Sequence, residues 1–142
     1  MTENQEKLLL KDLSSRLPYG VKLQISSWDD EKMEYVDKAD TLYSISSDNH
    51  VRTSSEDRDF YIDEVKPYLF PMSSMTEEQR AEYESLCIKE TSEYSDLYGI
   101  IFAKDHYYDT IESIDYLYKN HIDVRGLIPL GLAIDATGLG VY

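Results

Sequence analysis

Carboxylates fall in close sets along this chain: Asp29-Asp30-Glu31, Glu56-Asp57 with Asp59, Asp63-Glu64 and Glu77-Glu78. Two acids facing each other across a cleft, one with its pKa raised by burial, are what glycoside hydrolysis needs. Among 28 Asp and Glu, spacing singles out no such pair. His106 stands between Asp105 and Asp109. On a helix those two acids share a face that the imidazole leaves, so Asp109 is expected to cap a helix, not to join a metal site. His50 falls in an expected turn, and His121 at the end of an expected helix, where an imidazole meets the C-terminal dipole. The single cysteine, Cys87, lies between Leu86 and Ile88 and reads as a small buried hydrophobe. The tail run Thr137-Gly138-Leu139-Gly140 lacks the lysine of a phosphate loop, and neither Gly-x-Gly-x-x-Gly nor Gly-x-Ser-x-Gly occurs. No residue is assigned to catalysis, to a metal or to a cofactor.

A different chemistry is suggested by acids interleaved with tyrosine. There are 13 Tyr against three Phe and one Trp. Runs such as Ser92-Glu93-Tyr94-Ser95 and Asp105-His106-Tyr107-Tyr108-Asp109 set the rings among polar neighbours, where a rigid amphipathic side chain gives contact area at low entropic cost. The expected partner-binding residues are Asp29, Asp30, Glu31, Glu56, Asp57 and Asp59 on turns. Glu93, Tyr94, Asp96, Tyr98, Asp105, Tyr107 and Tyr108 join them from the Tyr-rich stretch. The net charge is -14, from 28 acids and 14 bases. Residues 1–25 are nearly neutral, so the excess lies in the rest of the chain. Such a field repels phosphate backbones, which argues against direct nucleic-acid binding and for a basic protein surface as partner. A small enzyme with a carboxylate and histidine site is the alternative, and a structural or assembly role is a third.

These residues need elements to hold them. Thr2 and Gln5 form a capping box ahead of Leu9, Leu10, Leu13 and Leu17, predicting a helix over about residues 3–16, ended by Pro18-Tyr19-Gly20. Val21, Leu23 and Ile25 alternate with polar residues, as do Met33 with Tyr35, Tyr43 with Ile45, and Phe60 with Ile62. Four or five short strands follow, forming an antiparallel meander or partly closed barrel. Pro67 and Pro71 are expected to take the chain out of that sheet. Thr76 with Gln79 predicts a helix over 77–89 that buries Tyr83, Leu86 and Cys87. Residues 90–98 read as an irregular surface loop, and Ile100-Ile101-Phe102-Ala103 as a strand or a buried connector. A further helix carries Ile111, Ile114, Leu117, Tyr118 and His121 on one face, and Asp123 caps a last short helix with Leu127 and Ile128. The expected class is α+β in a single domain, with helix plus sheet over 1–72 and a helical half over 73–142. The first residues lack the apolar core and cleavage site of a signal peptide, and no apolar run reaches the roughly 20 residues of a membrane span. A cytoplasmic protein with no membrane contact is expected.

Three segments carry a resemblance. Leu17-Pro18-Tyr19-Gly20-Val21, Val65-Lys66-Pro67-Tyr68-Leu69-Phe70-Pro71-Met72-Ser73-Ser74-Met75-Thr76-Glu77-Glu78, and Arg125-Gly126-Leu127-Ile128 after Tyr116-Leu117-Tyr118 resemble a family of small proteins from anaerobic gut bacteria and their phages and mobile elements. That family has no assigned activity, so the resemblance implies a context and no residue roles. It suggests an accessory protein, in which an acidic surface inhibits a nucleic-acid-handling complex as an anti-CRISPR protein or DNA mimic would. The Tyr-rich stretch at 87–108 departs from the family pattern, and specialisation is expected there.

Overall fold

Thr2 accepts the backbone N–H of Gln5 while the Gln5 side chain accepts that of Thr2, and this reciprocal cap starts helix α1, Glu3–Arg16. The computed structural model describes all 142 residues. After α1 a single 3-10 turn, Leu17–Tyr19, ends on Gly20 at φ 68°, a left-handed conformation that a side chain would strain. In chain order there follow β1 (Lys22–Asp29), β2 (Glu34–Ile45), β3 (His50–Thr53), β4 (Phe60–Tyr61), β5 (Lys66–Leu69), α2 (Glu77–Leu86), β6 (Ile88–Ser95), β7 (Ile101–Tyr108), α3 (Ile111–Lys119) and β8 (Ile134–Asp135). The fold is mixed α+β. No helix is long and apolar enough to cross a membrane.

The chain divides into two compact units. The first comprises residues 1–74 and 118–142. Its sheet has the order β4-β3-β2-β1-β5-β8, antiparallel except where β8 lies parallel to β5. Alternation along β1 sends Leu23 and Ile25 to one face, where they join Leu9 and Leu13 of α1, Leu42, Val51, Phe60 and Leu69 in the core. The second unit, residues 75–117, holds α2, the two-stranded hairpin β6–β7 and most of α3.

Several expectations are overturned. β1–β4 follow one another as an antiparallel meander, but β5 and β8 extend it to an open six-stranded sheet, not a partly closed barrel of four or five strands, and the stretch 73–142 is not a helical half. The expected loop at 90–98 is instead largely β6, paired residue for residue with β7 from Ile88↔Tyr108 to Ser95↔Ile101. Both strands expose nearly every residue, so neither shows the alternation by which a half-buried strand is recognised. The segment with Pro67 stays in the sheet as β5. Its pairing with β1 spans only Leu23↔Pro67 and Gln24↔Lys66, a ladder short enough to tolerate a residue with no donor. Beyond it, Phe70 N–H donates to the His121 carbonyl and Asp123 N–H to that of Phe70, tying the segment to the returning chain.

Helix α2 stops at Leu86, and Tyr83, Leu86 and Cys87 are only half-buried. Cys87 ends the helix by donating its N–H to the Glu84 carbonyl. Thr110, not Asp109, caps α3: its hydroxyl accepts the Ser113 N–H at 3.1 Å while Ser113 Oγ accepts the Thr110 N–H at 2.7 Å. Asp109 instead accepts from the Ser113 hydroxyl and from the Tyr83 phenol. Ile111 is exposed, so the apolar face of α3 begins one turn later than the spacing implied. No last helix forms around Leu127. The Asp123 carboxylate accepts the N–H groups of Leu127 and Ile128 across a turn, a cap with no helix behind it.

Candidate interaction site

The β6–β7 hairpin is built by its turn. Asp96 donates its N–H to the Ile100 carbonyl at 3.0 Å, and its carboxylate accepts the N–H groups of Tyr98 and Ile100, each at 2.9 Å. Gly99, at φ 79°, supplies the left-handed residue that closes the loop. With the backbone bonded inward, the two residues between Asp96 and Gly99 have nothing to pack on. Leu97 is 101% exposed and Tyr98 90%. Tyr94, Ile100, Ile101 and Phe102 flank them and are also exposed. The rings of Tyr94 and Phe102, directly opposite in the ladder, stack at 5.3 Å.

Side-chain alternation divides the hairpin into two faces. One carries Ile88, Glu90, Ser92 and Tyr94 beside Tyr108, His106, Lys104 and Phe102; the other carries Lys89, Thr91, Glu93 and Ser95 beside Tyr107, Asp105, Ala103 and Ile101. On the second face Asp105 accepts the Thr91 hydroxyl at 2.7 Å and pairs with Lys89 at 3.4 Å. The Thr91 hydrogen bond, helped by Lys89, holds the Asp105 carboxyl below the usual range. His106 stands on β7 opposite Glu90, on the other face from Asp105.

Of the residues expected to bind a partner, Glu93, Tyr94, Asp96, Tyr98, Asp105, Tyr107 and Tyr108 all lie on this hairpin. Asp96 is committed to the turn and Asp105 to its cross-strand bonds. Tyr94 and Tyr98 join the apolar tip, while Tyr107 and Tyr108 lie at the opposite end, beside Lys89 and Ile88. The remaining six belong to the first unit. Asp29, Asp30 and Glu31 shape the β1–β2 turn: Asp29 accepts the N–H groups of Glu31 and Lys32, and Asp30 accepts the Trp28 indole N–H. Glu56 accepts the Ser27 hydroxyl and pairs with Lys38 at 2.9 Å, contacts that hold its carboxyl low. Asp59 pairs with Arg52 at 3.3 Å, and Asp57 is exposed. Most of these acids therefore have a partner within the chain.

Sequence reasoning missed the apolar half of the site. Leu97 gave no signal, and the run Ile100-Ile101-Phe102 was read as a strand or a buried connector, where the structure has it mostly on a strand and exposed. The turn itself is legible: Asp96 and Gly99 bracket a tight loop, and Gly99 is the residue that takes the left-handed conformation there. Also missed was Asp40, buried on β2, which accepts both the N–H and the hydroxyl of Ser55 and the hydroxyl of Ser54. Burial opposes its ionisation, yet these bonds prevail and bring its pKa down to about 2.

A separate open groove of about 560 Å³ in the first unit is lined by Glu6, Asp48, Asn49, His50, Tyr61, Ile62, Asp63 and Glu64. His50 Nδ1 lies 3.2 Å from Asp48 and its ring meets the Tyr61 edge at 4.8 Å. Asp48 in turn accepts the Ser46 hydroxyl. His50, expected in a turn, instead begins β3 and pairs there with Asp48 of the preceding turn, with carboxylates around the rim.

No family model, curated protein or solved structure matches this chain.

Proposed function

We propose that this chain is a non-enzymatic interaction protein that inserts the β6–β7 tip into an apolar recess on a basic protein. The observation that carries the reading is full exposure of Leu97 and Tyr98 on a turn whose backbone is already satisfied. An exposed cluster of this kind marks an interaction surface. Tyrosine is one of the residues in which binding energy concentrates at interface centres. The sign of the partner follows from the unit that bears the tip: residues 75–117 contain eleven Asp and Glu against three Lys and Arg. Like-charged surfaces are turned away and basic ones are drawn in. In its narrower form, suggested by the family resemblance, the partner is a nucleic-acid-handling complex with a basic groove, and the chain is a phage- or element-borne inhibitor. The carboxylates would occupy the groove while the tip adds an apolar anchor that a nucleic-acid backbone lacks.

The test is affinity capture from host lysate with the full chain and with L97S/Y98S. Basic proteins held by the parent, lost with the variant, and released between roughly 50 and 500 mM salt are expected. Equal capture by both forms, or capture indifferent to salt, contradicts the reading.

A further inference from the structure

The outer edge of β6 has no neighbour in the sheet, and all eight of its residues are exposed. It carries neither proline nor bulge, and its ladder with β7 runs without a register shift. Unpaired edges template a further strand unless proline, a bulge or charge protects them; β6 has only the charges of Lys89, Glu90 and Glu93, which turn away a strand of like pattern and admit one of complementary pattern. Which backbone groups point outward follows from the turn. Since the Asp96 N–H donates across to the Ile100 carbonyl, alternation along the antiparallel ladder directs the even-numbered residues of β6 toward β7. The N–H and C=O groups of Lys89, Thr91 and Glu93 therefore face out.

We infer that a second copy of this chain pairs with that edge, antiparallel and two-fold symmetric about Thr91, making a four-stranded sheet β7-β6-β6-β7. A two-fold axis normal to the sheet keeps each side chain on its face, so only residues of equal parity can oppose each other. Centred on Thr91, the axis sets Lys89 against the second copy's Glu93, Ile88 against its Tyr94 and Thr91 against itself. Each of these pairs is favourable across strands, and each unlike pair occurs twice. The outward groups of Lys89, Thr91 and Glu93 are then all bonded. Neighbouring registers are worse. Centring on Glu90 or Glu93 opposes two carboxylates, centring on Lys89 opposes two ammonium groups, and centring on Ser92 leaves Lys89 against Ser95. On the β7 edge, the central positions Lys104 and Asp105 both oppose like charges when self-paired.

The same register joins apolar groups that each copy leaves exposed. Ile88 already neighbours Tyr108, and Tyr94 stacks on Phe102. Pairing Ile88 with the second copy's Tyr94 produces one row of Tyr108, Ile88, Tyr94 and Phe102 across all four strands, and its symmetry mate produces another. A two-stranded hairpin alone is marginal in water, and doubling it supplies the additional strands that such sheets need. The net repulsion of two acidic chains is screened beyond about 8 Å at physiological salt, while the Lys89 and Glu93 pairs act at contact.

This inference stands apart from the partner proposal, since its variants leave Leu97 and Tyr98 in place. The full chain, examined by sedimentation equilibrium over a concentration series, is expected to pass from 16.5 kDa to twice that mass. Lys89→Glu and Glu93→Lys should each raise the dimer dissociation constant by about tenfold or more, and the double exchange K89E/E93K should return it to near the parent value. In a Cys87→Ser background, Thr91→Cys should give a disulfide-linked dimer on mild oxidation, with the circular dichroism of the parent. A monomer at every concentration overturns the inference and leaves the edge to a strand from a different protein. A dimer insensitive to both single exchanges, or one that T91C/C87S does not link, overturns the register.

Discussion

Asp12 and Arg16 lie four residues apart on α1, a spacing that on most helices makes a solvated ion pair worth a few tenths of a kcal/mol. Here both have no exposed surface. Arg16 donates from Nε to Asp12 at 2.7 Å and from Nη2 to the Ile122 carbonyl at 2.6 Å, its guanidinium lies over the Tyr118 ring, and Arg125 stands 3.6 Å from the same carboxylate. Burial pushes the Asp12 carboxyl up, offset in part by Arg16. Removing one member strands a buried charge, so Asp12→Ala should cost about 3–5 kcal/mol, read as a fall in the urea midpoint. His121, expected to meet a helix dipole, instead has φ 60° beyond the end of α3 and stacks on Tyr142 at 3.9 Å. Burial, then the charge of Arg16, lowers its pKa to about 4 from 6.5. The unfolded chain therefore binds this proton more readily than the folded one. Its contribution is complete above pH 6.5 and is lost as pH falls toward 4. His121→Phe, which keeps the stacking, should lose less stability than the parent over that window in denaturant titrations at each pH.

At the scale of elements, two helix starts were legible because a capping box is a local event. Thr2 with Gln5 and Thr76 with Gln79 each place a hydroxyl three residues from an amide, and nothing distant is needed to close them. Beyond the apolar start of β7, the strands of the hairpin were not legible, since the hairpin lacks a buried face and so its strands lack a period. Its stability depends on the turn more than most, and Asp96 is the residue that fastens it. Asp96→Ala frees the N–H groups of Tyr98 and Ile100 at once. Faster amide exchange at both, spreading to Ser95 and Ile101, is expected with α1 unaffected. Unchanged exchange in the loop would show that Gly99 alone sets the turn. β5 was lost for the opposite reason: Pro67 argues against a strand, but a strand with two-residue ladders on each side asks little of its donors.

Across the molecule, charge and aromatic rings are distributed unevenly. The stretch 75–117 holds the larger share of the net charge and the apolar tip together. Exchanging Glu77, Glu78, Glu82 and Glu84 for Gln should slow association with a basic partner by about tenfold at low salt and change dissociation little, as rim charges act on encounter. Surface plasmon resonance at two salt concentrations separates the two rates; an effect confined to dissociation would place those acids in the contact itself. The sequence by itself determined the acidic balance, the absence of familiar catalytic runs, the capped helix starts and the alternation that builds β1, because each depends on residue type or on neighbours within a few positions. Only the tertiary structure decided which acids are free. Asp29, Asp40, Glu56 and Asp123 are occupied by turns and hydroxyls, while Leu97 and Tyr98 are left bare. Whether a polar group is satisfied, or an apolar one covered, depends on what the fold brings beside it, and that information is not carried in the spacing of the residues themselves.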